Sequence, residues 1–300
     1  MQNTAAGLKT TVGILYCGDM GSAFGKLLQE GGLRVVTTCE GRSPTTQRQA
    51  LASGIEILPK LEDVAAQSHV VFSIVLPSAA VEVAQQYIRC WKVRPQDSIF
   101  VEANSIGLET LAEIERLMAA QNVPLVDATF NGSAHRLKEQ GVLHVSGPEA
   151  GRVEAICQGL MRVNPLGPQI GSATLTKLLM SVLAKGLAGL FLEVGVLADR
   201  ADMLEPFLKS CHIFYPDFLT AAERMLPTYP RHAARRVGEM RDIEQLARTL
   251  QVRLGMTHET GNWIKLIAGL QWDPMNPENS SAMRTVIHSV ADAYPREVHK

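Results

Sequence analysis

Lys177, Ser181 and Lys185 recur at i, i+4 and i+8 in an otherwise apolar stretch, so in a helix they share one face. A lysine amine partly stripped of water has its pKa lowered and exchanges a proton near neutral pH, the requirement for general acid-base chemistry. Lys177 opens this stretch directly after a first domain, where a cleft between domains is expected; for either lysine the ordinary alternative is a stem that snorkels to solvent. A second cluster lies in DATFNGSAHRLKEQG, residues 127–141, where Asn131, Gly132 and Ser133 offer backbone N–H groups and a side-chain amide to an anion such as a carboxylate. The same composition also makes a plain surface turn. The third is RHAARRVGEMRDIE, residues 231–244, in which His232 lies on the helical face of Arg235 and Arg236 and Glu239 is placed to pair with either arginine. It is either a solvated, salt-bridged face or a cationic patch for an acidic substrate.

The elements that would position these groups begin at TVGILYCGDMGSAFGKLL, residues 11–28. Val12, Ile14 and Leu15 form a short apolar run, the turn carries Gly18, Asp19, Met20 and Gly21, and Phe24, Leu27 and Leu28 resume at helical spacing. A strand, glycine turn and helix in this order present backbone N–H groups and a helix dipole to a pyrophosphate. The G-x-G-x-x-G pattern is incomplete, because Tyr16 stands at the first glycine. A β-branched run, Arg34 to Cys39, then ends at EGRSP. Glu40 there suits the ribose 2′-OH of NAD, whereas Arg42, Ser43 and Thr45, with Arg48 further on, suit the 2′-phosphate of NADP. NADP is the expected cofactor, with NAD open; in the alternative, Ser43 only caps the helix beginning at Pro44.

Short apolar runs at 55–58, 69–76, 98–101, 123–126 and 142–146 continue a βα alternation and predict consecutive parallel strands. Leu76 and Pro77 end the fourth strand, and Asn104 and Ser105 follow the fifth, at the carboxyl edge where open α/β sheets bind ligands. Asn104 and Ser105 are placed either to touch a nicotinamide or to form simple turns. From Gly171 the texture changes to helix, and Leu175 to Ala201, apolar on nearly every face, predicts a long buried helix. Leu178 to Ala198 is long enough to cross a bilayer, but Lys185 and Glu193 inside that window disfavour a membrane span. Gly186, Gly189 and Gly195 permit close helix approach within a protein core instead. The expected architecture is α/β: a Rossmann-like doubly wound sheet over residues 1–170, then an all-α domain over residues 171–300.

Composition narrows the classes of function. With 46% hydrophobic residues in 300, the chain can bury a large core, and its formal charge of −1 with no polybasic run argues against a nucleic-acid partner. Five widely spaced cysteines without a C-x-x-C read as reduced thiols in the cytoplasm, no His or Cys pair has metal-ligand spacing, and MQNTAAGLKTT has no signal pattern and reads as a short flexible lead.

The glycine turn, the DATFNGSA segment and the Lys177 helix, in that order, resemble the β-hydroxyacid dehydrogenase superfamily, which includes 6-phosphogluconate and 3-hydroxyisobutyrate dehydrogenases. YCGDMG matches its G-x-G-x-M-G with Gly18, Met20 and Gly21 kept. DATFNGS matches its substrate loop D-A-P-V-S-G-G, with Asn131 where serine is usual and Gly132 retained. Gly171 through Lys177 matches the start of its catalytic helix, which puts the family's catalytic lysine at Lys177, and Ser181 stands where asparagine is usual. LAKGLAGLFLEVGVLADR and HAARRVGEM, with the earlier EGRSP, are similar to a branch with a C-terminal helical domain known as domain of unknown function 1932. The resemblance implies NAD(P)-linked interconversion of a small β-hydroxyacid and its keto form by a homodimer packed through its helical domains. In that reaction Lys177 is the general acid/base, Ser181 bonds the reacting oxygen or orients Lys177, Asn131 and Gly132 hold the carboxylate, and His232, Arg235 or Arg236 supplies a second anchor. Two other readings stay open: an imine or other carbonyl reductase on the same scaffold, and, given Tyr16 and Ser181, a catalytically silent NADP-binding regulatory protein.

Overall fold

The computed structural model describes residues 10–272 and 282–294, so most of the N-terminal lead lies outside the described residues. The described chain divides into two compact units, 1–177 and 178–300. The first is built on eight strands: β1 (Thr11–Leu15), β2 (Arg34–Thr38), β3 (Glu56–Leu58), β4 (Val70–Ser73), β5 (Ile99–Glu102), β6 (Leu125–Asn131), β7 (Val142–Ser146) and β8 (Arg162–Pro165). Their order in the sheet is β3-β2-β1-β4-β5-β6-β7-β8. The change of direction between β1 and β4 is the switch point at which open α/β sheets bind ligands. The connecting helices are α1 (Asp19–Glu30), α2 (Pro44–Ser53), α3 (Leu61–Gln67), α4 (Ala80–Arg89), α5 (Leu108–Ala119), α6 (Leu137–Gln140) and α7 (Ala150–Cys157).

β1, β2 and β4 are mostly buried runs rich in β-branched and other apolar residues because helices cover both sheet faces. On one face Phe24 of α1 packs edge-on against Phe72 and Phe130, with ring centroids 4.9 and 5.0 Å away. On the other, Leu61, Val64, Val83, Tyr87, Leu111 and Ile114 close over Val71 and Phe100.

Two features of the sheet depart from expectation. The strands are not all parallel, since β6 and β7 pair antiparallel from Asp127↔Ser146 to Asn131↔Val142. The polar residues from Asp127 to Asn131 are therefore strand, and the turn begins only at Gly132; β6 carries its polar side chains on alternate positions, a pattern that reads locally like a loop. An eighth strand, β8, pairs parallel to β7 at the sheet edge, where Pro165 is tolerated.

The helix that leads into the second unit, α8, runs Ser172–Arg200, and is followed by α9 (Leu204–Phe214), α10 (Pro216–Met225), α11 (Tyr229–Thr249), α12 (Gly255–Gly269) and α13 (Ala282–Ala293). In the second unit one face of α8 is core: Phe191 meets Phe207 and Phe218 at 5.8 and 5.7 Å, and Gly189 and Gly195 admit Thr260 and Ile287 at distances a Cβ would crowd. Gly186 has no such neighbour. The helix is not buried all round as its composition predicts, because Leu179, Met180, Leu183, Leu187, Leu190 and Leu197 are exposed along the opposite face. By length and composition alone it could cross a membrane. Its polar residues, however, sit in a packed helical unit: Lys185 pairs with Glu239, and the Trp263 indole donates to Glu193.

Candidate functional site

The glycine turn works as its residue types require. A Cβ on Gly21 would lie 2.2 Å from the carbonyl oxygen of Tyr16, so only glycine lets α1 start this close to β1. A Cβ on Gly18 would meet nothing within 4 Å, and no side chain caps the helix there, which leaves the first-turn N–H groups without a side-chain cap. Asp19 accepts from the Gln49 amide, and Met20 packs on the core. Tyr16, in place of the first glycine, turns its ring away from this turn into the layer beneath α3 and α4 and carries the Arg42 guanidinium 4.4 Å above it.

Beside that pair lies a cavity of about 500 Å³ lined by Tyr16, Glu40, Arg42, Lys60 and Arg89 among others. The Glu40 carboxylate accepts from the Leu61 backbone N–H at 3.4 Å, Ser43 caps α2 through Thr46, and Arg48 donates to Thr45. A dinucleotide fits these residues, with uncapped N–H donors at the α1 N-terminus and three cationic groups against two carboxylates, Glu40 and Glu62, in one cavity.

At the carboxyl edge of β4 and β5, Leu76 and Pro77 are exposed, while Asn104 is locked inward. Asn104 accepts from the Val75 N–H at 2.5 Å and donates to Ser73 Oγ at 3.0 Å, so it ties the two strand ends together. Ser105 is exposed and accepts from Lys177 Nζ at 2.7 Å. Lys177 is placed by the start of α8, which Asp127 of β6 holds. The Asp127 carboxylate accepts from the N–H groups of Gly171 and Thr174, both at 3.0 Å, from Thr174 Oγ1 at 2.7 Å and from Ser146 Oγ at 3.0 Å. A carboxylate beneath a helix N-terminus also opposes the dipole's positive end. Lys177 then stands one turn beyond this clamp.

Asn131 ends β6, and Gly132 comes next with φ +121, a backbone that needs glycine. The Asn131 amide reaches His144 Nε2 at 3.1 Å, Gly132 and Ser133 are exposed, and the Ser133 hydroxyl contacts His135 at 3.4 Å. His144 is 7% exposed, and burial, together with the charge of Lys177, holds its pKa below the usual histidine value. His144 carried no motif in the sequence, and Asp127 stood only as the first residue of DATFNGS; that both serve this edge becomes visible only when β6 and β7 pair.

Glu102, at the end of β5, is also invisible to sequence reading. It is 1% exposed and one oxygen accepts from the Asn104 N–H at 2.9 Å, while the other has no hydrogen-bond partner among the described residues. Burial pushes its carboxyl up to about 8, against the bonds from Asn104 and with help from the Asp127 charge. A folded pKa above the unfolded one means the folded state keeps a proton that the unfolded chain loses from about pH 4.5 upward. Stability from this group is thus complete below about pH 4.5 and is lost as pH rises through 8, by about 5 kcal/mol in all. Glu102→Gln is expected to remove that slope, so urea unfolding at pH 5, 7 and 8.5 should show the variant gaining on the wild type as pH rises. Parallel curves would refute it.

In the second unit Lys185 does not snorkel. It is 7% exposed, pairs with Glu239 at 2.7 Å and donates to Ser181 Oγ. Burial lowers the Lys185 pKa against the pull of Glu239. Burial would raise Glu239, but Lys185 and the arginines outweigh it and leave that carboxyl low. Arg235 pairs with the same Glu239, and Arg236 stacks over Tyr229 at 3.9 Å and donates to Thr228. Burial, then the neighbouring arginines, lower His232. The 231–244 face is therefore a partly buried charge cluster closed on Lys185, and Ser181 belongs to it.

An open sheet with a glycine turn at its switch point and an amine at its carboxyl edge defines an NAD(P)-binding oxidoreductase fold. The chain belongs to the family of the NAD binding domain of 6-phosphogluconate dehydrogenase, which matches residues 11–161, and residues 198–267 match a domain of unknown function, DUF1932. An uncharacterized 28.5 kDa protein of Methanothermus fervidus is 25% identical over 198 residues, covering 66% of this chain and 74% of its own. A solved conserved protein of unknown function, described as structurally similar to 3-hydroxyacid dehydrogenases, superposes with a TM-score of 0.73 at 25% identity over 92% of this chain and 99% of that one. The 3-hydroxyisobutyrate dehydrogenase of Mycobacterium tuberculosis, solved with L-serine, superposes with a TM-score of 0.73 at 16% identity over 93% and 99%.

Proposed function

We propose that this protein is an NADP-dependent oxidoreductase that interconverts a small β-hydroxyacid, or a related anionic alcohol, and its keto form. The observation that carries the reading is the Lys177 amine at the carboxyl edge of the sheet, bonded to Ser105 Oγ at 2.7 Å. When bound, the nicotinamide supplies hydride transfer to or from the substrate carbon. The chain's own part is acid-base and positional. In oxidation Lys177 takes the proton of the substrate hydroxyl, and in reduction its ammonium returns a proton to the forming alkoxide. Ser105 orients the amine, while Asn131 and the backbone at Gly132 hold the carboxylate. Ser181 accepts from Lys185 and belongs to the charge cluster of α11.

NADP is favoured over NAD because the cavity that holds Glu40 and Glu62 also holds three cationic groups, Arg42, Lys60 and Arg89. A second copy of the chain is the partner that covers the exposed leucines of α8, whose spacing from Met180 through Leu183, Leu187 and Leu190 to Leu197 follows a heptad seam. Cys17, Cys39, Cys90, Cys157 and Cys211 are all free thiols, in keeping with a cytoplasmic protein.

One experiment addresses these points together: fluorescence titration with NADPH and NADH, a screen of small hydroxyacids for NADPH formation, and sedimentation of the same sample. NADPH is expected to bind at least about tenfold more tightly than NADH, a difference of about 1.4 kcal/mol. Binding without turnover of any hydroxyacid would refute the activity, equal affinities the cofactor, and a monomer the second copy.

A further inference from the structure

The row of polar side chains across β6, β7 and β8 poses a hydrogen-bonding problem. His144 lies opposite Thr129 on β6 and opposite Asn164 on β8, and Asn131, two residues beyond Thr129, shares its face. The Asn131 amide nitrogen lies 3.1 Å from His144 Nε2, and the Asn164 amide nitrogen 3.0 Å from Nδ1. A neutral imidazole has one N–H and one lone pair, so it accepts from only one of the two amides. The other must turn its carbonyl oxygen to the ring. An amide, unlike a hydroxyl, has a fixed donor end, and the ring's tautomer therefore decides which end of Asn131 faces away from it.

We propose that His144 is a positioning residue: carrying its proton on Nε2, it accepts from the Asn164 amide at Nδ1 and donates to the Asn131 carbonyl oxygen, which turns the Asn131 NH2 group toward the substrate carboxylate. The inference rests on the reading of Asn131 as the carboxylate anchor. With the proton on Nδ1 instead, Asn131 would spend its NH2 on the ring and present an oxygen lone pair, which repels a carboxylate. Burial and the charge of Lys177 keep the ring neutral, the form in which one tautomer has to be chosen. Asn164 on β8, remote from the reacting atoms, thereby becomes a determinant of substrate charge.

The test uses NADP-saturated protein labelled with ¹⁵N in histidine and asparagine. A long-range proton–nitrogen correlation reads the His144 tautomer, assigned by the loss of its signals in His144→Gln, and 3-hydroxypropionate serves as the carboxylate probe on the Asn131 side-chain NH2. The wild type is expected to show the proton on Nε2 and a shifted Asn131 amide. Asn164→Leu is expected to lose the tautomer preference and weaken 3-hydroxypropionate binding about fivefold to tenfold, with NADPH affinity unchanged. A merely structural role for Asn164 would lower melting temperature and leave the tautomer in place. A proton on Nδ1 in the wild type, or unaltered 3-hydroxypropionate binding in Asn164→Leu, overturns the relay. A wild-type Asn131 amide that ignores 3-hydroxypropionate while the proton sits on Nε2 overturns the substrate reading instead.

Discussion

Lys177→Ala is expected to lower turnover of the hydroxyacid about 10²- to 10⁴-fold, the usual worth of a positioned general acid/base. At the β5 edge the amine's near partner, Ser105, is a hydroxyl, Asn104 is locked between strand ends, and neither can take a proton from an alcohol near neutral pH, while the titratable Glu102 carboxyl is buried. Lys177→Arg should be nearly as poor in oxidation, because a guanidinium keeps its charge and does not deprotonate. The glycine turn and the Arg42 cavity are built by other elements, so NADPH affinity should stay within about threefold of wild type in both variants, since separate sites behave independently. Single-turnover measurements of NADPH formation would check this, and an alanine variant with full turnover would end the general acid/base reading.

How much of this arrangement is legible in sequence depends on the range of the interaction. The strand, glycine turn and helix of residues 11–30 are local, and their spacing carries them; so does the placement of Lys177 at the opening of a long helix. The reversal at β7 is not legible, because residue types in a buried strand encode burial and not direction. β8 hides because RVNP is short, half polar and contains proline, all permitted on an edge. Lys185 and Glu239 are 54 positions apart, and a polar stripe on an apolar helix announces only that some partner exists. The apolar character of α8 misled in the other direction: hydropathy cannot say whether a leucine face is covered by the same chain. Ser43 shows both outcomes at one residue, since the hydroxyl that would suit a phosphate is the one that caps α2.

Asp127→Ala should produce the largest loss of stability, about 3 kcal/mol or more, because truncation strands buried donors as well as removing bonds. Asp127 is fully buried, and its two oxygens satisfy the Gly171 and Thr174 N–H groups, the Thr174 hydroxyl and the Ser146 hydroxyl. The hydroxyls can turn elsewhere, but the two N–H groups of a helix start cannot. Asp127→Asn separates the hydrogen bonds from the charge. Its carbonyl oxygen can keep the three bonds made by Oδ2, and its NH2 can donate to a rotated Thr174 hydroxyl, so only about 1 kcal/mol of helix-dipole and charge-assisted stabilisation should go. Because Asp127 grips the turn that precedes Lys177, the alanine variant should also lose turnover at temperatures where it is still folded, while the asparagine variant keeps most of it. Urea unfolding followed with steady-state kinetics would check both halves. An alanine variant as stable as the asparagine one would mean that the start of α8, and with it the amine at position 177, is held by something other than this carboxylate.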